Sequence, residues 1–186
     1  MVIWIIVAAA AVLILWIVAA FNKLVLLKNQ VLNGWKQIDV QLKRRHDLIP
    51  NLVETVKGAM KFEQTTLIQV IEARNRAISA QGIAEKAAQE NALTGVLRQL
   101  FALAESYPDL KSNQNVARLQ EELSSTENRI GFARQFYNDI ATRFNIAQQV
   151  FPAGIIAKIF GFTSAELFEI TDSSEREVPK VDLGLK

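Results

Sequence analysis

"NVARLQEELSSTENRIGFARQFYNDIATRFNIAQQVF", Asn115 to Phe151, decides the fold. Its apolar or small residues Val116, Leu119, Leu123, Thr126, Ile130, Ala133, Tyr137, Ile140, Phe144, Ala147 and Phe151 recur at alternating steps of three and four. A 3.5-residue period sustained for about five heptads marks a helix packed along its whole length on other helices. At 1.5 Å per residue the stretch is ~55 Å long. Asn113 or Asn115 offers the cap that starts it, and Pro152 stops it. Phe132, Phe136 and Ile146 lie off the stripe, which predicts more than one partner face.

The same counting organises the first third of the chain. Leu24, Lys28, Val31, Trp35, Ile38, Leu42, Arg45, Ile49, Leu52, Val56 and Ala59 form a second stripe. It crosses Pro50 without losing phase. A continuous helix kinked at Pro50 gives up one hydrogen bond at a cost of ~3 kcal/mol. A fresh helix capped by Asp47 would instead place Pro50 in a tolerant first turn. The kept phase favours the kinked continuous helix. Between the two stripes, Leu67, Val70, Ile71, Ala77 and Ile78 mark a shorter helix. Gly82 breaks it, and Ile83, Ala87, Val96, Leu97, Leu100 and Leu103 mark the next. "YPDLKSN" (Tyr107–Asn113) carries turn chemistry. No β-like alternation persists anywhere, so the fold class is all-α: long antiparallel helices in a bundle, then a short apolar helix and an acidic tail.

The N-terminus is of another kind. "VIWIIVAAAAVLILWIVAAF" (Val2–Phe21) has no charge and no proline, and as a helix it spans ~30 Å, the hydrocarbon thickness of a bilayer. Val18-Ala19-Ala20 resembles a signal-peptide cleavage site, but the run is too long and no basic residue precedes it. An uncleaved anchor is the reading, with Val2, Trp4, Trp16, Phe21 and Lys23 as its lipid and interface residues. Lys23, Lys28, Lys36, Lys43, Arg44 and Arg45 all follow the span, so the positive-inside rule puts the bulk of the chain in the cytoplasm, on the inner membrane. The domain reading is an anchor over 1–22, a helical bundle over 23–162 and an acidic tail over 163–186, the last mobile at its proline-containing end.

Composition excludes several chemistries. The chain has one histidine and no cysteine, which rules out a zinc site, a Cys–His pair and a paired Glu-x-x-His di-iron centre. Its glycines form neither a dinucleotide nor a Walker motif. No feature argues for catalysis or a cofactor, and a net charge of +2 exerts no global pull on nucleic acid. Arg45 falls on the core stripe, so it is expected to pair with a carboxylate of a neighbouring helix. Lys43 and Arg44 flank that stripe and could serve a partner. The apolar "FPAGIIAKIFGF" (Phe151–Phe162) either closes the bundle end or makes a subunit contact through Ile155, Ile156, Ile159, Phe160 and Phe162. Lying on a membrane would need the far end of the long helix to return to the bilayer.

Five blocks carry a resemblance: "GWKQIDVQLKRRHDLIPNLVETVKG" (Gly34–Gly58), "YPDLKSN", "LQEELSSTENRI" (Leu119–Ile130), "ARQFYN" (Ala133–Asn138) and "FP" (Phe151-Pro152). In this order they resemble the LemA family, over nearly all of Val2–Phe162. The resemblance implies a single-pass membrane protein with a bundle of long helices. It implies no enzyme, and the roles discussed for the family centre on envelope organisation. Its hallmark polar residues map onto Gln37, Asp39, Gln41, Arg45, Asp47, Asn51, Asp109, Gln120, Glu127, Asn128, Arg134 and Asn138. They are expected to fix helix register through interhelical hydrogen bonds and ion pairs; an anion or peptide site at Arg45 and Arg134 is the sharper alternative. The functional expectation is a non-enzymatic scaffold that self-associates as a homo-oligomer. The rival is a monomeric adaptor that presents a helix face to a membrane protease or its substrate.

Overall fold

The computed structural model describes residues 1–58, 60 and 63–168, and no strand occurs among them. Six helices follow in order: α1 (Val2–Lys57), α2 (Gln64–Ser79), α3 (Ile83–Ala104), α4 (Pro108–Lys111), α5 (Gln114–Gln149) and α6 (Ala153–Ile159). Ala59, the last stripe position, and 169–186, most of the acidic tail, lie outside the described residues.

α1 is one helix of 56 residues with Pro50 inside it, ~84 Å long at 1.5 Å per residue. Its first part stands alone: Val2–Trp16 are exposed on every side. The most apolar window of 18 residues has a mean hydropathy of 3.0, and none of it is buried against the chain. Water would not tolerate that surface, whereas a bilayer requires it.

Beyond the span, α1 buries most of the stripe read from the sequence, Leu24, Val31, Ile38, Leu42, Arg45, Ile49, Leu52 and Val56; Trp35 is half-buried and Lys28 is exposed. α5 buries Val116, Leu123, Thr126, Ile130, Ala133, Tyr137, Ile140 and Phe144. The two helices run antiparallel. Gly34 meets Tyr137, and farther down Leu24 packs beside Ala147. A Cβ on Gly34 would lie 3.4 Å from the Tyr137 Cα, so glycine sets how closely the backbones approach. Phe151, the last expected stripe position, instead lies outside the seam at 84% exposure. α5 ends at Gln149, two residues before it, and the side chain leaves the helical register. Asn113 caps α5, its Oδ1 accepting from the Asn115 and Val116 amides at 2.9 and 3.4 Å.

The core forms three stacked sections. At the membrane-distal end, α1 residues Ile49–Val56 pack with Leu67, Val70 and Ala73 of α2, Leu93, Leu97 and Leu100 of α3, Leu110 of α4 and the start of α5. α2 descends alongside α1 and α3 climbs back, so this end is four helices thick. The middle section is α1 on α5, with Val31, Ile38 and Leu42 against Ile130, Tyr137, Ile140 and Phe144. The section nearest the span joins Leu24 to Ile156 and Ala157 of α6. Each of these buried Leu, Ile or Val side chains stabilises the fold by about 1.5–3 kcal/mol.

Candidate functional site

Two departures from an ordinary helix sit together on α1: buried charge and proline. Pro50 has no N–H, so the His46 carbonyl four residues earlier loses its helical partner. Arg74 of α2 replaces it, donating from Nε to that carbonyl at 2.7 Å. A charged donor on an orphaned carbonyl is among the stronger hydrogen bonds available. The helix at Pro50 is thereby tied to α2.

Arg45 and His46 point the other way, into α3. Arg45, His46 and Glu90 are 3%, 7% and 2% exposed. The Arg45 guanidinium donates to Thr94 Oγ1 at 2.7 Å and lies 3.6 Å from Glu90 Oε2. His46 Nε2–H donates to Glu90 Oε1 at 2.7 Å. Thr94 in turn donates to the Glu90 carbonyl at 3.1 Å. Burial lowers the Arg45 pKa from its ordinary value, and the Glu90 charge opposes that shift. The arrangement fixes how α3 is rotated and staggered on α1, since any slip would strand a charge in apolar surroundings.

The other hallmark residues divide. Asp39 pairs with Lys86 of α3 at 3.2 Å, and Glu127 of α5 with Arg98 of α3 at 3.3 Å. Both join helices as expected, at partly exposed sites where such pairs contribute about 0–1 kcal/mol. Asp47 does not. It takes a bond from Lys43 one turn away at 2.9 Å, on the surface, and that bond is the main reason its carboxyl lies below the usual range. Gln37, Asn51, Asp109, Gln120 and Asn128 are exposed, as is Arg44. Arg134 stacks on the Phe168 ring, 4.4 Å from its centroid, so it and Arg45 serve separate structures rather than one anion or peptide site. Among the described residues no group of three or more His, Asp or Glu side chains could hold a metal ion.

Asn138 joins no second helix. It clamps the segment after α6. Its Oδ1 accepts from the Phe168 amide at 2.8 Å and its Nδ2 donates to the Phe168 carbonyl at 3.0 Å. Asn145 does the same to Ala165, at 2.7 and 2.8 Å. Between them Tyr137 Oη donates to the Glu166 carbonyl at 2.6 Å, and burial raises the pKa of that phenol. The spacing is geometric. Seven helical residues rise ~10.5 Å, and three extended residues cover ~10 Å, so each asparagine meets one backbone unit. Phe168 lies buried beside Trp35, ring centroids 6.1 Å apart. The packed chain therefore continues past 162, where the sequence suggested a tail. Asn138→Ala and Asn145→Ala should each cost about 1–2 kcal/mol for two lost hydrogen bonds. Denaturant unfolding measures the loss, and amide exchange at Phe168 and Ala165 should accelerate in the matching variant.

At the lower end, Val2, Trp4, Trp16 and Lys23 are exposed, as an anchor requires. Phe21 is different. Its ring packs on Phe160 and Phe162 at centroid distances of 4.7 and 5.9 Å, joining the span to α6. Among the expected subunit-contact residues, Ile156 is 5% exposed inside its own chain and Phe162 is half-buried against Phe144 and Phe21. Neither is free for a neighbour. Ile155, Ile159 and Phe160 stay exposed at 51%, 70% and 54%. The cluster is also not distal: α5 carries it back to the bilayer end of α1.

Comparison with known proteins follows the same outline. The LemA family profile matches residues 34–183. Protein LemA of Metamycoplasma hominis is 25% identical over 166 residues, 87% of this chain and 74% of that protein. Magnetosome protein MamQ of Magnetospirillum gryphiswaldense is 24% identical over 156 residues, 70% of this chain and 57% of its own length. Magnetosome protein MamQ 2 of Paramagnetospirillum magneticum is 34% identical over 73 residues, 39% of this chain and 27% of that protein. With a profile match from Gly34 through the seam and past the clamped strap, behind an apolar helix long enough to cross a bilayer, the chain belongs to the LemA family of membrane-associated proteins.

Proposed function

We propose that the chain is a non-enzymatic, membrane-anchored scaffold that associates with copies of itself along the side of its rod, on the cytoplasmic face, and so contributes to organising the cell envelope. One observation carries this reading. Beside the α1–α5 seam, Val40, Phe132 and Phe136 stay 63%, 72% and 46% exposed and line a groove with Lys36, Gln37 and Arg129 at its margins. Phe132 and Phe136 are the residues whose position off the first stripe called for a second partner face. Exposed aromatic rings on a rigid helix pair, rimmed by polar groups, are the usual composition of a protein interface. The basic residues that follow the span support the cytoplasmic placement.

The mass of the detergent-solubilised chain tests it. Light scattering should give a multiple of the 20.8 kDa chain mass, and Phe132→Glu with Phe136→Glu should reduce it to the monomer without loss of helicity. A monomer for the unaltered chain at micromolar concentration would overturn the reading and favour the adaptor, as would crosslinks in cells that join mainly other proteins.

A further inference from the structure

We propose that α6 and the turn before it, Val150–Phe160, form a second membrane contact, seated at the headgroup–acyl boundary of the leaflet from which α1 emerges. The height of α6 is fixed by what it packs on. Ile156 and Ala157 lie against Leu24, with Ile17, Ala20 and Phe21 around them. Residues 17–24 are the end of the apolar span and the turn just above it, a rise of ~10 Å that brackets the interfacial zone. At that level the outer surface of α6 is apolar: Phe151, Ile155, Ile159 and Phe160 are 84%, 51%, 70% and 54% exposed. Held in water this would be an exposed patch continuous with the bare surface of the span; held in the boundary it is covered by the same lipid.

Charge agrees with the placement. Lys23, Lys28, Arg143 and Lys158 are exposed around this end. No Asp or Glu occurs between residues 1 and 38 or between 140 and 165, so these segments present no carboxylate to repel an anionic headgroup. Basic side chains at a negative surface each contribute about 1 kcal/mol. Trp16, Leu24, Ile146, Val150 and Pro152 line a groove that opens beside Lys23 and Arg143, extending the apolar surface from α1 across to α5. The chain would then meet the bilayer twice, at the start and the end of its long antiparallel pair, and the rod would be held at a set angle instead of swivelling on a single helix.

The absence of cysteine makes the test direct. Single cysteines at Phe151→Cys and Ile159→Cys, both exposed, carry an environment-sensitive fluorophore on the full chain in phosphatidylcholine–phosphatidylglycerol vesicles. Leu13→Cys in the span and Phe132→Cys on the rod are the references. Lipids spin-labelled high on the acyl chain should quench the labels at 151 and 159 at least ~2-fold, as expected for an apolar face sunk at the headgroup–acyl boundary, and leave the label at 132 unchanged. Replacing Lys23, Arg143 and Lys158 together with Gln should reduce quenching at 151 and 159 while leaving that at Leu13→Cys intact. Labels at 151 and 159 that lipid quenchers do not reach would overturn the proposal, whether they are open to aqueous iodide or shielded from it by a second copy of the chain.

Discussion

Replacing Glu90 with alanine is expected to lower the unfolding free energy by about 3–5 kcal/mol, the usual penalty for breaking a buried ion pair from one side. The magnitude comes from what remains. Arg45 at 3% exposure and His46 at 7% would both lose their carboxylate, and neither can turn to water without leaving the core. Glu90→Gln keeps the shape and removes the charge, so it should fall between the two. Replacing the pair together, Arg45→Met with Glu90→Leu, should recover only part of the loss: apolar side chains of similar volume carry no desolvation cost, but buried His46 still lacks the Glu90 carboxylate it pairs with at 2.7 Å. Denaturant unfolding of the four proteins measures this. A Glu90→Ala protein within ~1 kcal/mol of the parent would mean that the cluster does not hold α3 on α1.

Arg74 gives the second large effect, and it is conditional. With Pro50 in place, Arg74→Met leaves the His46 carbonyl without a partner and should cost about 2–3 kcal/mol, the range for a hydrogen bond to a charged group. With Pro50→Ala the backbone N–H at 50 can bond that carbonyl itself, and Arg74→Met should then cost under ~1 kcal/mol. The double-mutant cycle should show a coupling of about 1–2 kcal/mol between residues on different helices. Additive effects would break the link drawn between the proline and α2.

The two long seams were legible because a 3.5-residue period is a local signal, repeated often enough to survive exceptions. The helix through Pro50 was legible for the same reason, since the stripe keeps phase on both sides of it. What satisfies the carbonyl that Pro50 frees was not: Arg74 lies on another helix, and nothing periodic marks a single side chain aimed at a carbonyl. The partner of Arg45 left a trace. Ile83, Ala87, Glu90, Thr94 and Leu97 recur at steps of four, three, four and three, so Glu90 stands on the inner face of α3 as Arg45 does on that of α1. A carboxylate is normally assigned to solvent, which hid it. The asparagine clamps were harder, because the strap from 162 to 168 has no period of its own and acquires its shape only from Asn138 and Asn145.

The place of the apolar cluster was misread through direction, not length. Beyond Phe21, α1 has as many residues as α5, 36. Two antiparallel helices of equal length must end level, so Phe151–Phe162 returns to the membrane end. A helix drawn outward as a free ~55 Å rod puts the same residues at the far tip. That reversal sets the exposed residues Ile155, Ile159 and Phe160 at the membrane end of the rod.

All of this depends on α5 lying antiparallel on α1 within one chain, and a crosslink between Gly34 and Tyr137 tests that most directly. A Cβ at residue 34 would be 3.6 Å from the Tyr137 Cβ, inside the range a disulfide needs, ~3.5–4.5 Å. The chain has no other cysteine to compete, and closing a loop of about a hundred residues offsets the lost tyrosine by up to ~4–5 kcal/mol. Gly34→Cys with Tyr137→Cys should oxidise to a single-chain species that migrates at monomer size without reductant. Chains that stay reduced, or link only to one another, would contradict the account.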